Sequence, residues 1–199
     1  MILLKKYKWT WILLALCVIM AGYLLWGAWS KPKLPVIRPV ESFSLENVDG
    51  KNVTLEDTNG RVRLFYFFFS KCNDVCPLTT FRLSQVQDEL KKKGLFAKDA
   101  TIVSISFDPE RDTREEIKSF GDKFGADYSG WYFLRGDQQK VMDLAMNSFK
   151  ILINQDQTGN FVHMDLIGLV DRDGQLREIY RPEVTATEIA QGVADLSKE

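Results

Sequence analysis

Two cysteines separated by three residues, Cys72-Asn-Asp-Val-Cys76, stand directly before Pro77. The thiolate is the nucleophilic and metal-binding form of cysteine, and two of them one helical turn apart face the same way. Such a pair can share one metal ion or close one disulfide. The single histidine of the chain, His163, lies far downstream at the end of a polar loop. A solitary histidine is ordinarily a packing or surface residue. Two nearby sulfurs change its weight, because two thiolates and one imidazole form a soft three-ligand set suited to copper. Imidazole also suits zinc, but structural zinc takes four closed ligands, and the third cysteine, Cys17, falls in an apolar segment. Copper, as Cu(I) or Cu(II), fits the set better.

These residues need elements to position them. Val62 to Phe69 is a nearly unbroken aromatic and β-branched run, which predicts a strand buried on both faces. Pro77 suits the first turn of a helix, where its missing N–H breaks no bond. The thiols therefore belong at the end of a buried strand and the opening of a helix. Amide donors and the positive dipole end lower thiol pKa values there. Leu78, Phe81, Leu83, Val86 and Leu90 recur at roughly helical spacing up to Lys93, with Gly94 as the stop.

The uncharged run from Trp9 to Trp29 is long enough to span a bilayer, and tryptophans near both ends match the interfacial belt. No small-residue cleavage site follows it, so an uncleaved anchor is expected rather than a signal peptide. Cys17 within it reads as an inert thiol. Lysines flank the run on both sides and leave the orientation open. The chain divides into residues 1–8, a transmembrane anchor over 9–29, a Pro-rich spacer over 30–40 and one domain over 41–199. The first 38 residues hold six basic and no acidic side chains, leaving 26 − 6 = 20 basic against 27 acidic, a net charge of −7. An acidic domain without a basic cluster argues against nucleic acid as a partner.

Asn47-Val-Asp-Gly and Asp171-Arg-Asp-Gly are hairpin signals. Strands are expected at Thr101–Phe107 and Trp131–Leu134. Helices are expected from Thr113 to Phe124 and from Asp137 to Phe149, and a last one is capped by Thr185. Asn154 to Asn160 reads as a polar loop. Strands alternating with helices and closed by a β-hairpin and a helix predict an α/β fold, a central mixed sheet flanked by helices of the thioredoxin-like type.

Phe-Phe-Phe-Ser-Lys-Cys-Asn-Asp-Val-Cys-Pro, Ser-Phe-Asp-Pro-Glu-Arg-Asp-Thr and Val-His-Met-Asp-Leu-Ile-Gly-Leu-Val-Asp-Arg-Asp-Gly resemble three blocks of the SCO/SenC family in order and spacing, over about residues 40 to 198. The resemblance implies a membrane-tethered, thioredoxin-like domain outside the cytoplasmic membrane. It implies copper binding through Cys72, Cys76 and His163, and a role in assembling the dinuclear copper site of cytochrome c oxidase subunit II. Other copper chaperones or thiol reductants are implied as further partners.

The chain departs from the family at Asn73, where proline is usual, and at Val162 and Met164, where Asp and Ser or Thr usually flank the histidine. Adjacent strand residues point to opposite faces, so Met164 is expected in the core, with Asp165 as a group tuning the imidazole. Asp108 closes a strand near the site and is expected to cap its own turn or orient the cysteine loop. Two function classes compete: copper delivery and thiol–disulfide exchange. His163 discriminates between them, because exchange needs two thiols and no imidazole.

Overall fold

The computed structural model describes residues 7–29, 33–72, 75–155 and 161–199. The chain separates into two compact units, 1–33 and 34–199. In the first, α1 (Lys8–Trp29) is a single 22-residue helix, about 33 Å long at 1.5 Å per residue. Trp9, Trp11, Leu13, Leu14, Ile19 and Tyr23 on it are all exposed. Among the described residues no helix is long and apolar enough to cross a membrane, and the side chains of 24–29 lie outside the description. A helix thus stands where the sequence places the spanning segment, but the span itself is not shown.

In the second unit the aromatic run forms β4 (Val62–Phe68), every residue of which is buried. It lies between β5 (Ala100–Ser106), parallel to it, and β9 (Ile167–Val170), antiparallel. Alternate side chains serve the two faces. Phe65 and Phe67 meet Phe149 of α4 (Gln138–Phe149). On the opposite face Tyr66 stacks beside Phe68, which stacks on Phe120 of α3 (Arg114–Lys123). That face also carries α2 (Val75–Lys92), packed against α5 (Ala186–Leu196). Helices on both faces explain why β4 has no polar face.

Further strands complete one eight-stranded sheet: β1 (Arg38–Pro39), β2 (Ser44–Asn47), β3 (Asn52–Thr54), β6 (Trp131–Arg135) and β10 (Gln175–Tyr180). Their order is β1-β10-β9-β4-β5-β6-β2-β3. Gly50 and Gly174 supply the positive φ, 82° in each, that the β2–β3 and β9–β10 turns require. The caps fall where sequence expects them, at Thr113, Asp137 and Thr185.

Three features differ from the sequence reading. Residues 34–40, read as spacer, are docked: β1 pairs with β10, and Arg177 donates to the carbonyls of Leu34 and Pro35 while ion-paired to Asp171 and Glu199 at 2.9 Å each. Part of the expected polar loop is a strand, β7 (Ile153–Gln155), which pairs with β8 (Phe161–His163) in a separate two-stranded sheet. Residues 156–160 of that loop, and Asn73, lie outside the described residues. Finally, Leu78 and Phe81 are 66% and 54% exposed. The buried face of α2 runs instead through Cys76, Thr79, Thr80, Leu83, Val86, Gln87 and Leu90.

Candidate metal centre

Beyond β4 the chain turns sharply, and the Cys72 amide donates to the Phe69 carbonyl. Cys72 sits on this loop rather than on a helical turn, while Cys76 lies in the first turn of α2. Both are nearly sealed from solvent, at 8% and 0% exposure. The loop is held from the side. Ser70 donates its amide and its hydroxyl to the Asp112 carboxylate, which also accepts from the Ser106 hydroxyl. Lys71 reaches Glu116 at 2.8 Å.

Asp108, expected as a candidate for orienting this loop, is turned to Arg111 instead. Asp112, four residues on, does that work, and its own backbone is fixed by Arg135. Its burial raises the carboxyl pKa, against the lowering effect of the Ser106 and Ser70 hydrogen bonds.

His163 arrives from β8. Its Nε2 lies 3.4 Å from Cys76 Sγ across 87 positions of chain. Its Nδ1 lies 3.3 Å from the Met164 carbonyl oxygen. An Nδ1–H donated to that carbonyl leaves the Nε2 lone pair directed at the sulfurs. The ring packs edge-on against Phe107 at 5.1 Å and Phe69 at 6.2 Å. Phe161 closes the same cluster, with the Arg111 guanidinium over the Phe69 and Phe161 rings.

The ligand atoms of Cys72, Cys76 and His163 all lie within 4.8 Å of one another, the metal-holding group found among the described residues. Atoms bonded to a common ion at roughly 2.0–2.3 Å can be no more than about 4.6 Å apart, so the set stands within a few tenths of an ångström of ligating spacing. The donor chemistry fits a soft, thiophilic ion. The expected lowering of thiol pKa does not hold for Cys76. Its hydrogen bond with Cys72 and then its burial push the pKa well up, only partly opposed by a backbone hydrogen bond to Phe69. A cation held by Cys72, Cys76 and His163 would take the place of the proton on Cys76 and relieve that penalty.

Two expectations near His163 are corrected. Met164 is 45% exposed, outside the core. Asp165 does not touch the imidazole: one oxygen accepts from Thr79 Oγ1 at 2.6 Å, and the other is buried without a partner. Sequence reasoning missed Asp112 and Thr79 as parts of the site. Asp112 ends the Asp108-Pro-Glu-Arg-Asp112 block and was findable there.

A family model described as SCO1/SenC matches residues 35–198. A SCO1 protein homolog of Bacillus subtilis is 33% identical over 150 residues, covering 74% of this chain and 76% of that protein. Among solved structures, BsSco, described as a member of the Sco family of cytochrome c oxidase assembly proteins with a disulfide switch, has a TM-score of 0.74 and 31% identity, over 83% of this chain and 98% of its own. Bradyrhizobium japonicum ScoI with copper bound has a TM-score of 0.68 and 27% identity, over 79% and 99% of the two chains.

Proposed function

Because the chain belongs to the SCO1/SenC family, we propose that it binds copper through Cys72, Cys76 and His163 and serves in the assembly of cytochrome c oxidase. The observation that carries this reading is the 3.4 Å approach of His163 Nε2 to Cys76 Sγ. A thiol pair devoted to exchange alone has no use for an imidazole brought from a remote hairpin. A thiophilic cargo does. Likeness to a Bradyrhizobium ScoI that carries copper supports the choice of metal.

In this reading the ion is cargo, handed to the dinuclear copper site of subunit II. The helix α1 is the anchor, since about 33 Å matches a hydrocarbon core of about 30 Å. Residues 1–8 then lie in the cytoplasm and the copper domain on the extracytoplasmic side. An alkaline phosphatase fused after Val40 is active in a bacterial host under this arrangement, and silence of that fusion refutes it.

Titrating the reduced full-length protein in detergent with copper tests the ligand set. One equivalent binds, and Cys72→Ser, Cys76→Ser and His163→Ala each weaken binding while the domain stays folded. Unaltered affinity in His163→Ala removes the imidazole from the site. The second reading, thiol–disulfide exchange on the oxidase subunit, is favoured by the closeness of the two sulfurs. It gains ground if His163→Ala keeps its copper but loses oxidase assembly.

A further inference from the structure

Two side-chain contacts join the helix that carries Cys76 to the segment that carries His163. One is the approach of His163 Nε2 to Cys76 Sγ at 3.4 Å. The other is a hydrogen bond of 2.6 Å from the Thr79 hydroxyl to the Asp165 carboxylate. The two run in step. Thr79 lies three residues after Cys76 on the buried face of α2, and Asp165 lies two residues after His163. The histidine segment has little else to fix it. Among the described residues β8 is three residues long and pairs with the equally short β7, in a sheet separate from the eight-stranded one. A two-stranded hairpin standing alone is marginally stable. The chain rejoins the main sheet at Ile167, the first residue of β9, and residues 164–166 belong to no strand. Phe69 and Phe107 wall the imidazole at its sides, but ring packing sets a direction less sharply than a hydrogen bond does.

We propose that Thr79 and Asp165 are positioning residues for the metal centre, their hydrogen bond holding the His163 segment against α2 so that the imidazole stands in place before an ion arrives. The inference rests on the copper-binding reading above and adds what presets its third ligand. A hydroxyl donated to a carboxylate is charge-assisted, and 2.6 Å is the spacing of the strong members of that class. Thr79 is 2% exposed, so water competes little for its hydroxyl. A site whose third ligand is away in some fraction of molecules binds its ion more weakly by that fraction. A bond that keeps the ligand near therefore raises affinity without touching the ion. It acts through the imidazole, because the sulfurs have supports of their own: Cys76 is part of α2, and the loop before Cys72 is held by Asp112. Loss of the Thr79 hydroxyl thus matters to the metal while His163 is there to be positioned, and not otherwise.

The test compares Thr79→Val, which removes the donor and keeps the branched shape, with Thr79→Ser, which keeps the donor. Thr79→Val is also placed in the His163→Ala background. Cu(II) affinity, thiolate-to-Cu(II) absorption and the melting temperature of the metal-free form are measured on reduced full-length protein in detergent. Thr79→Val is expected to weaken Cu(II) binding about tenfold, as for one hydrogen bond to a charged acceptor. Its absorption moves toward that of His163→Ala, and Thr79→Ser restores both. In the His163→Ala background the same substitution changes affinity by less than about twofold, the margin within which uncoupled sites add. Equal losses in the two backgrounds overturn the inference, because the bond then supports the fold or the sulfurs. Unchanged affinity and absorption in Thr79→Val overturn it too, even if the melting temperature falls. If Thr79→Val does not fold, Asp165→Ala breaks the same bond from its half-buried end and is read against His163→Ala in the same way. A His163→Ala variant that binds Cu(II) as tightly as wild type instead overturns the ligand set proposed above, and this inference with it.

Discussion

Asp112 accepts hydrogen bonds from both the backbone amide and the side-chain hydroxyl of Ser70, 42 positions earlier in the chain and two residues ahead of Cys72. One carboxylate thereby ties the loop after β5 to the loop that carries the first sulfur. Removing it leaves the Ser106 hydroxyl buried without its acceptor as well. Each such loss costs about 1–3 kcal/mol. Asp112→Ala is expected to lower the melting temperature by several degrees and to weaken copper binding, while Asp112→Asn, which keeps one oxygen acceptor, does less of both. Equal copper affinity in Asp112→Ala and wild type, measured on folded protein, separates Asp112 from the site.

The sulfurs of Cys72 and Cys76 lie within 4.8 Å of each other, and no disulfide joins them. A disulfide requires about 2.05 Å, so one local adjustment of the Cys72 loop closes the bond. Oxidised protein is expected to bind no copper and to recover binding on reduction, as for a sulfur pair that serves both states. Mass spectrometry of the thiol count alongside copper stoichiometry checks this. Copper retained by the disulfide form contradicts a shared site.

Leu78 and Phe81 are exposed on α2. Their replacement together by serine is expected to change stability by no more than about 0.5 kcal/mol each, as for surface positions. Leu83→Ala, at a position with 0% exposure, costs about 2–5 kcal/mol. Urea unfolding of both variants distinguishes the two faces of the helix. A large loss in the serine double variant would place the apolar face back in the core.

Asp127 accepts from Lys91 and from Ser129, and these bonds hold its pKa at about 2, below the usual 3.8. A depressed carboxyl contributes stability above the unfolded value and loses it as pH falls toward the folded one. The side chain is 35% exposed, so solvent screening keeps the contribution small, below about 1 kcal/mol. Asp127→Asn is expected to melt slightly lower than wild type at pH 7, with the gap closing between about pH 4 and pH 2. A gap that persists unchanged at pH 2 assigns the effect to packing instead of charge.

The fold was largely legible because strong local signals agreed with the tertiary outcome: a β4 that is apolar but for Arg63, Asp-Gly turns, and threonine and aspartate caps. The site was legible through chemistry, since one histidine and two sulfurs leave few arrangements. Periodicity failed on the first two turns of α2. There the buried face is Cys76, Thr79 and Thr80, polar because it faces the sulfurs and Asp165, so hydrophobicity pointed to the wrong side. Met164 failed similarly. Strand alternation says which way a side chain points, but whether anything covers it depends on the hairpin's surroundings. Asp112 and Asp108 lie four residues apart in one block, and only the side-chain geometry says which carboxylate reaches Ser70.

Arg177 gives the N-terminal linker a mechanical role. A pull on the chain upstream of Leu34 is taken first by Arg177, braced by Asp171 and Glu199, and by the short pairing of β1 with β10. That anchorage is at one edge of the sheet, with β10 and β9 standing between it and β4. Tension on the linker is therefore grounded at the sheet margin. The cysteine loop follows β4, three strands inward from that edge.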